Sequence, residues 1–308
     1  MNNTLQPTLN LPEKTSYLKL ILTYTKNVAK ERDISKARVF FLRSLLYSFF
    51  SFKWLKFIDN YYKKQGFPCA PWTLVGLPIR SYVVSGLSIS KKISLLINHH
   101  TILSEFINPD LLKKLLQGEV FKLSKLVGKS GDTYGINIAI LDRYWREGGL
   151  TIFMTDEEEV IITTLTFNFG KKKNGDHFII IGGLQGTPLG KAKIVNTTRM
   201  LNGLRPKYAV LESLYAIASV FKVNSITATS MRNHIFGRTK LMKKIHSDYD
   251  QFWLEIGGVK GKNNNFQLPP ALPKRSLEEV QSKRKKDWLK RQEYLEQIKN
   301  DSKNINKF

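Results

Sequence analysis

The sequence predicts an α+β protein: a helical N-terminal region, then a mixed, mainly antiparallel sheet with helices packed on it. Three observations predict this class. Apolar residues recur at helical spacing through residues 17–64, with no proline between Glu13 and Phe67. After Gly131 the β-branched runs INIAILDRY, LTIFMTD, EVIITTLTFNF and HFIIIGG are separated by the turn-forming REGG, DEEE and KKKNGD. Helical periodicity then returns in KAKIVNTTRMLNG and LRPKYAVLESLYAIASVF. This order divides the 308 residues into a helical region at 1–130, an α/β core at 131–268, and a Pro-rich linker with a charged helix at 269–308.

The elements follow in order. Within the first helical stretch, VFFLRSLLYSFFSFKWLKFI (residues 39–58) carries Arg43, Lys53 and Lys56. The uncharged run they leave is shorter than the roughly 18–20 residues a spanning helix needs. The stretch reads as a core-packing helix, or as a basic aromatic helix lying on an anionic membrane face. Pro68, Pro71 and Pro78 then interrupt it. NPDLLKKLLQGEVFKLSKLVG is helix-prone, started by Asn108 or Asp110. The four β-branched runs form a meander, because connections this short exclude parallel pairing of neighbours. The next helix puts Ile194, Thr198 and Leu201 on one face and stops at Gly203, a residue suited to a left-handed cap. A second helix starts at Pro206 and turns Val210, Leu211, Leu214, Ile217, Ala218 and Phe221 toward the sheet. NSITATS is the strand it feeds and QFWLEIGG the last strand. After LPPALP, Ser276 and Glu279 match a capping box opening the final helix, whose apolar anchors are Leu277, Val280, Trp288, Leu295 and Ile298.

A hydrophobic content of 42% with 11% aromatics excludes a disordered chain. The single cysteine, Cys69, excludes an internal disulfide. MNNTLQPTLNLPEK lacks the basic and apolar regions of a secretory signal, so a cytoplasmic protein is expected. Lys and Arg number 49 against 25 Asp and Glu, a net charge of +24. Such an excess favours an anionic membrane face, phosphate-bearing small molecules or nucleic acid, or else is a solvated lysine-rich surface. With no recognisable nucleic-acid-binding module, nucleic acid is the weakest of these partners.

Candidate chemistry gathers in residues 177–258. GGLQGTPLGKAK (182–193) follows a strand and precedes a helix, where backbone amides complement anionic oxygens. It is neither a Walker loop, since Gly186 and Gly190 enclose three residues and Ala192 follows Lys191, nor a dinucleotide fingerprint, since its strand is antiparallel. Gln185, Gly186, Gly190 and Lys191, with Lys193 nearby, are therefore expected to hold a pyrophosphate-bearing carrier such as CoA, or else form a glycine-rich connection with no ligand. In SMRNHIFGRTK (230–240), Asn233 and His234 stand at a strand end, where histidine acts as acid or base, although a lone histidine also serves in packing. Arg205, Arg232 and Arg238 suit phosphate or carboxylate recognition. His100 and Glu105 imitate the His-x4-Asp pair of glycerolipid acyltransferases, with Glu for Asp and no supporting motif. Adjacent His99 and His100 cannot both face one metal, and His177, His234 and His246 lack ligand spacing, so no metal is expected.

GGLQG, TRMLNGLRPK (198–207), YDQFWLEIGG (249–258) and the tail FQLP…RSLEEVQSKR (266–284) together resemble the VirK/YbjX family of Gram-negative bacteria, over residues 38–298. The resemblance implies a cytoplasmic protein associated with virulence, outer-membrane lipid modification and resistance to cationic antimicrobial peptides. It brings no catalytic residues. The order of elements is in addition similar to the acetyltransferase-like (GNAT) arrangement, including its aminoacyl-transferring branch. In that fold the junction after the fourth strand of the meander holds the acyl carrier, although the usual Gln/Arg-x-x-Gly-x-Gly/Ala is only approximated from Gln185 to Gly190. The reading is an acyl- or aminoacyl-transferase that modifies a lipid-linked envelope precursor at the inner-membrane face, with His234 as base, Tyr249 as acid, Asn233 beside them, and Arg205 and Arg232 on the substrate. The alternative is a basic membrane-peripheral scaffold or chaperone for envelope or virulence-factor export.

Overall fold

A computed structural model describes residues 16–187, 190–237, 248–274 and 276–307. Residues 17–64 are helical as expected, but form α1 (Tyr17–Glu31), α2 (Ile34–Leu46) and α3 (Ser48–Lys64) rather than one helix. Asp33 separates the first two by accepting from the Lys36 amide at 2.7 Å, a polar N-cap inside an otherwise unbroken apolar period. Tyr47 turns the chain before α3. The aromatic stretch 39–58 is therefore two helices with different fates. α3 buries Trp54, Leu55, Ile58, Tyr61 and Tyr62, whereas α2 buries only Ala37, Phe40 and Ser44.

A short helix α4 (Trp72–Val75) and a loop lead to α5 (Ile89–Phe106), capped by Ser88, and α6 (Pro109–Leu116), capped by Asn108. The helix expected through residue 127 stops at α6. Gly118, at φ +85°, turns the chain, and Phe121–Val127 is strand β1. Leu and Lys at these spacings suit either period, so the left-handed glycine decides between them.

The sheet has eight strands in the order β1-β2-β3-β4-β5-β6-β8-β7. β2 (Thr133–Ala139), β3 (Leu150–Thr155), β4 (Ile161–Lys171) and β5 (His177–Gly186) are the expected antiparallel meander. Helix α7 (Lys191–Met200) ends before Gly203, at φ +84°, and α8 (Pro206–Val220) starts on its proline. β6 (Val223–Ala228) then returns parallel to β5. The strand expected in QFWLEIGG is instead part of helix α9 (Tyr249–Glu255). Asp248 caps it by accepting from the Gln251 amide, and Tyr249, Phe252 and Trp253 are buried at helical spacing. The closing strands are the short hairpin β7 (Val259–Lys260) and β8 (Phe266–Gln267), with β8 antiparallel to β6.

The final helix, α10 (Lys285–Lys303), begins later than expected; Glu279 does accept from the Ser276 amide at 3.2 Å, but within a turn. Few apolar residues hold α10, and Leu277 stays exposed while Tyr294 and Ile298 are buried. Hydrogen bonds supply the rest. Tyr294 donates to the Val127 carbonyl at 2.6 Å, Ser124 donates to Asp301 at 2.6 Å, and the Ser213 and Ser302 hydroxyls lie 2.8 Å apart. α8 is packed between the sheet strands β3 and β4 and α10, while α5 packs on β4 and against α3. One continuous apolar cluster includes Trp54, Leu96, Phe167, Leu214, Trp253 and Ile298.

Candidate functional site

Strand β5 outlasts its partner β6. Its pairing with β4 continues until Gly186 faces Thr163, but parallel pairing with β6 ends where Ile181 faces Ala228. One further bond, from the Thr229 amide to the Ile181 carbonyl at 2.9 Å, closes that pairing. Residues 182–186 thus have an edge that β6 does not cover, and side chains from three other segments meet there.

The first segment is the β2–β3 connection, read from sequence as the turn REGG. Gly149 donates to the Phe167 carbonyl at 3.0 Å, which lays the loop across β4 and brings the buried Glu147 over β5. The double glycine of the strand exists to admit it. A Cβ on Gly182 would lie 1.8 Å from the Glu147 carbonyl oxygen, and one on Gly183 would lie 1.9 Å from Glu147 Oε2. Two residues on, Gln185 Nε2 donates to both carboxylate oxygens at 2.8 Å each. GGLQG is therefore strand rather than loop through Gly186.

The second and third segments bring His234 and Tyr249. After β6, Ser230 caps a single turn of 3-10 helix, Met231–Asn233, and His234 follows it, fully buried. His234 Nδ1 accepts from the Phe236 amide at 3.3 Å, which leaves Nε2 as the nitrogen bearing hydrogen. Nε2 faces Glu147 Oε1 at 3.9 Å, beyond hydrogen-bond reach, and has no other partner. Tyr249 opens α9 with its ring edge-on to His234, centroids 5.6 Å apart. Its hydroxyl lies beside the Leu184 amide and Gln185 without bonding either. Burial first, and the Glu147 charge second, hold this phenol well above its ordinary pKa. α9 is fixed in place by Asp250, which accepts from the Met231 amide at 2.8 Å, and by Trp253, whose indole donates to the Thr229 carbonyl at 3.1 Å.

Among the described residues, four buried side-chain polar atoms lack a hydrogen-bond partner, and three of them, Thr229 Oγ1, His234 Nε2 and the Tyr249 hydroxyl, lie on these segments. An unsatisfied buried group costs about 1–3 kcal/mol. Beside the group, a cavity of about 400 Å³ is lined by Gly186, Ile194, Arg205, Lys207, Asp248 and Phe252, among others. It adjoins Gln185 through Gly186 and Tyr249 through Asp248.

The structure thus gathers Gln185, His234 and Tyr249 around Glu147, and sets Gly186 and Arg205 on the adjacent cavity. Arg205 is ion-paired there with Glu255, which also accepts from Tyr208. Gly190 caps α7, where a Cβ would lie 2.3 Å from Thr187 Oγ1, and Lys191 is exposed on the first turn. Lys193 is bound to Asp156. Asn233 is turned elsewhere: its amide donates to the Asn263 carbonyl and to Asn265, at 2.7 and 2.9 Å, tying the turn to the β7–β8 hairpin. Arg232 is exposed on the same turn. Pro188, Leu189, Arg238 and His246 lie outside the described residues. His99 and His100 are buried in α5. His99 Nδ1 accepts from the Phe169 amide at 3.1 Å, and His100 Nδ1 donates to the Leu96 carbonyl at 2.9 Å. Burial lowers both rings, His100 to about 4. Among the described residues no group of three His, Cys, Asp or Glu side chains is placed to hold a metal ion, and no helix is long and apolar enough to cross a membrane.

Fold and site together define a mixed α/β protein whose mainly antiparallel sheet carries a buried Glu–His–Tyr group at the uncovered end of a central strand. No solved structure matches the chain. It belongs to the family described as a protein of unknown function, DUF535, which matches residues 29–304, and this is the VirK/YbjX family its motifs resemble. It is 26% identical to the uncharacterised protein YbjX of Escherichia coli K12 over 307 residues, 97% of this chain and 93% of that protein. An uncharacterised protein of Haemophilus influenzae Rd is 23% identical over 213 residues, 68% of this chain and 70% of that protein.

Proposed function

We propose that this protein is an acyl- or aminoacyl-transferase of GNAT-like fold. The observation that carries the reading is the convergence of an unpaired His234 N–H and an unpaired Tyr249 hydroxyl on the buried carboxylate of Glu147. Such a group suits proton transfer during acyl transfer. An acceptor amine or hydroxyl attacks the carbonyl of the donor ester or thioester, and Glu147 takes the proton it loses. Collapse of the tetrahedral adduct breaks the bond to the leaving thiol or hydroxyl, which takes its proton from Tyr249. The proton held by Glu147 then restores the phenol. Glu147 replaces His234 as the base because the Nδ1 lone pair of His234 is engaged and its Nε2 presents hydrogen toward the carboxylate.

The meander, the junction into α7 and α8, and the parallel strand β6 support the GNAT-like reading. The start of α7, without a side-chain cap and with Lys191 exposed beside it, suits the phosphates of a donor such as acyl-CoA. The role implied for the family gives the acceptor class, an envelope precursor modified at the cytoplasmic face of the inner membrane. The scaffold alternative leaves the unpaired buried groups without a purpose.

Thermal stabilisation of the purified protein by CoA, acyl-CoA and aminoacyl-tRNA tests the reading, since a ligand of the native state raises its apparent stability. One donor class raises the melting temperature; Lys191→Glu removes that shift. Glu147→Gln keeps the shift and loses transfer of label to an envelope extract. Absence of stabilisation by either donor class overturns the proposal.

A further inference from the structure

Helix α2 is thinly packed on the rest of the fold. Its buried residues, Ala37, Phe40 and Ser44, occupy one narrow edge. At 100° per residue, Ile34, Leu42, Leu45 and Leu46 fall within one arc of about 120° on the opposite side. These side chains are in water: Ile34 is 65% exposed, Leu42 64% and Leu46 74%. At the corner into α3, Phe49 is 75% exposed. Globular proteins leave single apolar residues on the surface, but a run of this kind marks a contact site.

The chemistry around this face says what covers it. Residues 16–57 carry nine Lys and Arg against two acidic residues, Glu31 and Asp33. Arg43, about 60° beyond the arc on the same helix, lies near Arg80, as do Arg32 and Arg146. The Arg32 guanidinium lies 4.1 Å above the Trp72 ring, Trp72 meets Trp145 edge-on at 5.2 Å, and Arg80 lies 5.6 Å from the Trp145 ring. Arg146 stacks on Phe236 at 5.2 Å. Two carboxylates are close: Glu31 accepts from the Trp72 amide, and Glu147 is engaged by Gln185. Burial and the charges of Arg146, Arg43 and Arg32 depress the pKa of Arg80, as expected for cations crowded together without full compensation. Arginines held by aromatic rings beside an apolar arc match phosphate headgroups above acyl chains.

We propose that the outer face of α2 and the α2–α3 corner dock on an anionic phospholipid bilayer, with Leu46 and Phe49 entering the acyl boundary and the Arg32, Arg43 and Arg80 cluster at the phosphates. This differs from the membrane reading of the sequence, which used residues 39–58 as one helix; the aromatic side of α3 is committed to the core. The docking face stands on its surface chemistry and holds whether or not the buried Glu147 group is catalytic.

Vesicle flotation of the whole protein tests it, with phosphatidylcholine alone and with added phosphatidylglycerol. The protein floats with the anionic vesicles only, and less so as salt rises. Leu46→Ser/Phe49→Ser weakens vesicle binding by about tenfold or more, from the apolar area withdrawn from the boundary. Its circular dichroism and melting temperature stay those of the wild type, since both side chains are solvent-exposed. Arg43→Gln/Arg80→Gln removes the preference for phosphatidylglycerol. Binding by the Leu46→Ser/Phe49→Ser variant equal to that of the wild type overturns the proposal. So does a wild-type dimer in light scattering that this variant converts to monomer, with neither floating, which would assign the face to a second copy of the chain. Donor-induced stabilisation, measured on the same variants, separates failure of docking from failure of the transferase reading.

Discussion

Gly183→Ala tests whether β5 is shaped around Glu147. The new Cβ would sit 1.9 Å from Glu147 Oε2 and 2.9 Å from its Cδ, where ordinary contacts begin at 3.4 Å. The carboxylate must retreat by about 1.5 Å, the difference between those separations. That movement breaks at least one of its two 2.8 Å bonds from Gln185. Overpacking a filled interior costs about 1–3 kcal/mol and losing a hydrogen bond to a charged group about 1.5–3 kcal/mol. Gly183→Ala is therefore expected to destabilise the protein by about 2–4 kcal/mol, allowing for partial relaxation. In a Glu147→Ala background the obstructing side chain is gone, so a double-mutant cycle gives a favourable coupling of about 1–3 kcal/mol. Gly182→Ala is the control. Its Cβ meets the Glu147 carbonyl oxygen at 1.8 Å, which is backbone, so Glu147→Ala does not rescue it. Urea unfolding midpoints at unchanged m-value measure all three. Additivity of Gly183→Ala with Glu147→Ala to within about 0.5 kcal/mol refutes the reasoning.

Three further outcomes are expected. His100 is buried with its pKa lowered from 6.5 to about 4, so the unfolded chain binds its proton first. Stability is complete above pH 6.5 and falls as the pH drops toward 4, by up to about 3 kcal/mol from this ring; melting temperatures across that window check the sign, and His100→Leu flattens the slope. Gly149→Ala would place a Cβ 2.1 Å from His99 Nε2, in a ring fixed by the Phe169 amide, and is expected to cost about 2 kcal/mol or more; differential scanning fluorimetry should show a lowered transition. Tyr82→Phe strips the phenol that donates to buried Asn168, and chemical denaturation should show a loss of about 1–2 kcal/mol.

Much of the fold is legible in the sequence because its signals are local. The meander is written in β-branched runs between turn residues, and α8 in a proline followed by apolar side chains at helical spacing. The errors fall where one residue decides between two periods. Gly118 ends a helix that the Leu/Lys pattern would continue into β1, and Asp248 starts a helix in a segment whose aromatic residues also suit a strand. Tyr249, His234 and Gln185 stand out as polar residues among motif-like neighbours. Glu147 does not, because REGG has the composition of an exposed turn, and its burial depends on the loop crossing β4 to reach glycines 35 and 36 residues further on. The nearest local signal is the pair Gly148 and Gly149: a Cβ on the first would lie 2.5 Å from the Phe167 carbonyl oxygen, and one on the second would enter the His99 ring. Both glycines mark a loop pressed onto a sheet rather than one turning in water.

The two sets of buried histidines differ in how their ring nitrogens are used. His99 ties α5 to β4 and stacks on Phe169, and His100 bonds within its own helix among Trp54, Phe57 and Tyr61. Each ring is used as a wedge between elements. His234 is equally buried, yet its Nε2 faces a carboxylate it does not reach, and the neighbouring phenol is likewise unbonded. A longer β6 would have covered residues 182–186 with ordinary backbone pairing. Instead the chain leaves the sheet after Thr229, and Glu147, His234 and Tyr249 approach the exposed strand edge from three separate segments. Every specialised position of GGLQG then has a counterpart: Gly182 the Glu147 backbone, Gly183 its carboxylate, Gln185 both carboxylate oxygens, and Gly186 the side chain of Ile194 at the cavity wall. A strand cut to receive one acidic side chain, beside donors left unpaired, is the arrangement that the proposed transfer would use.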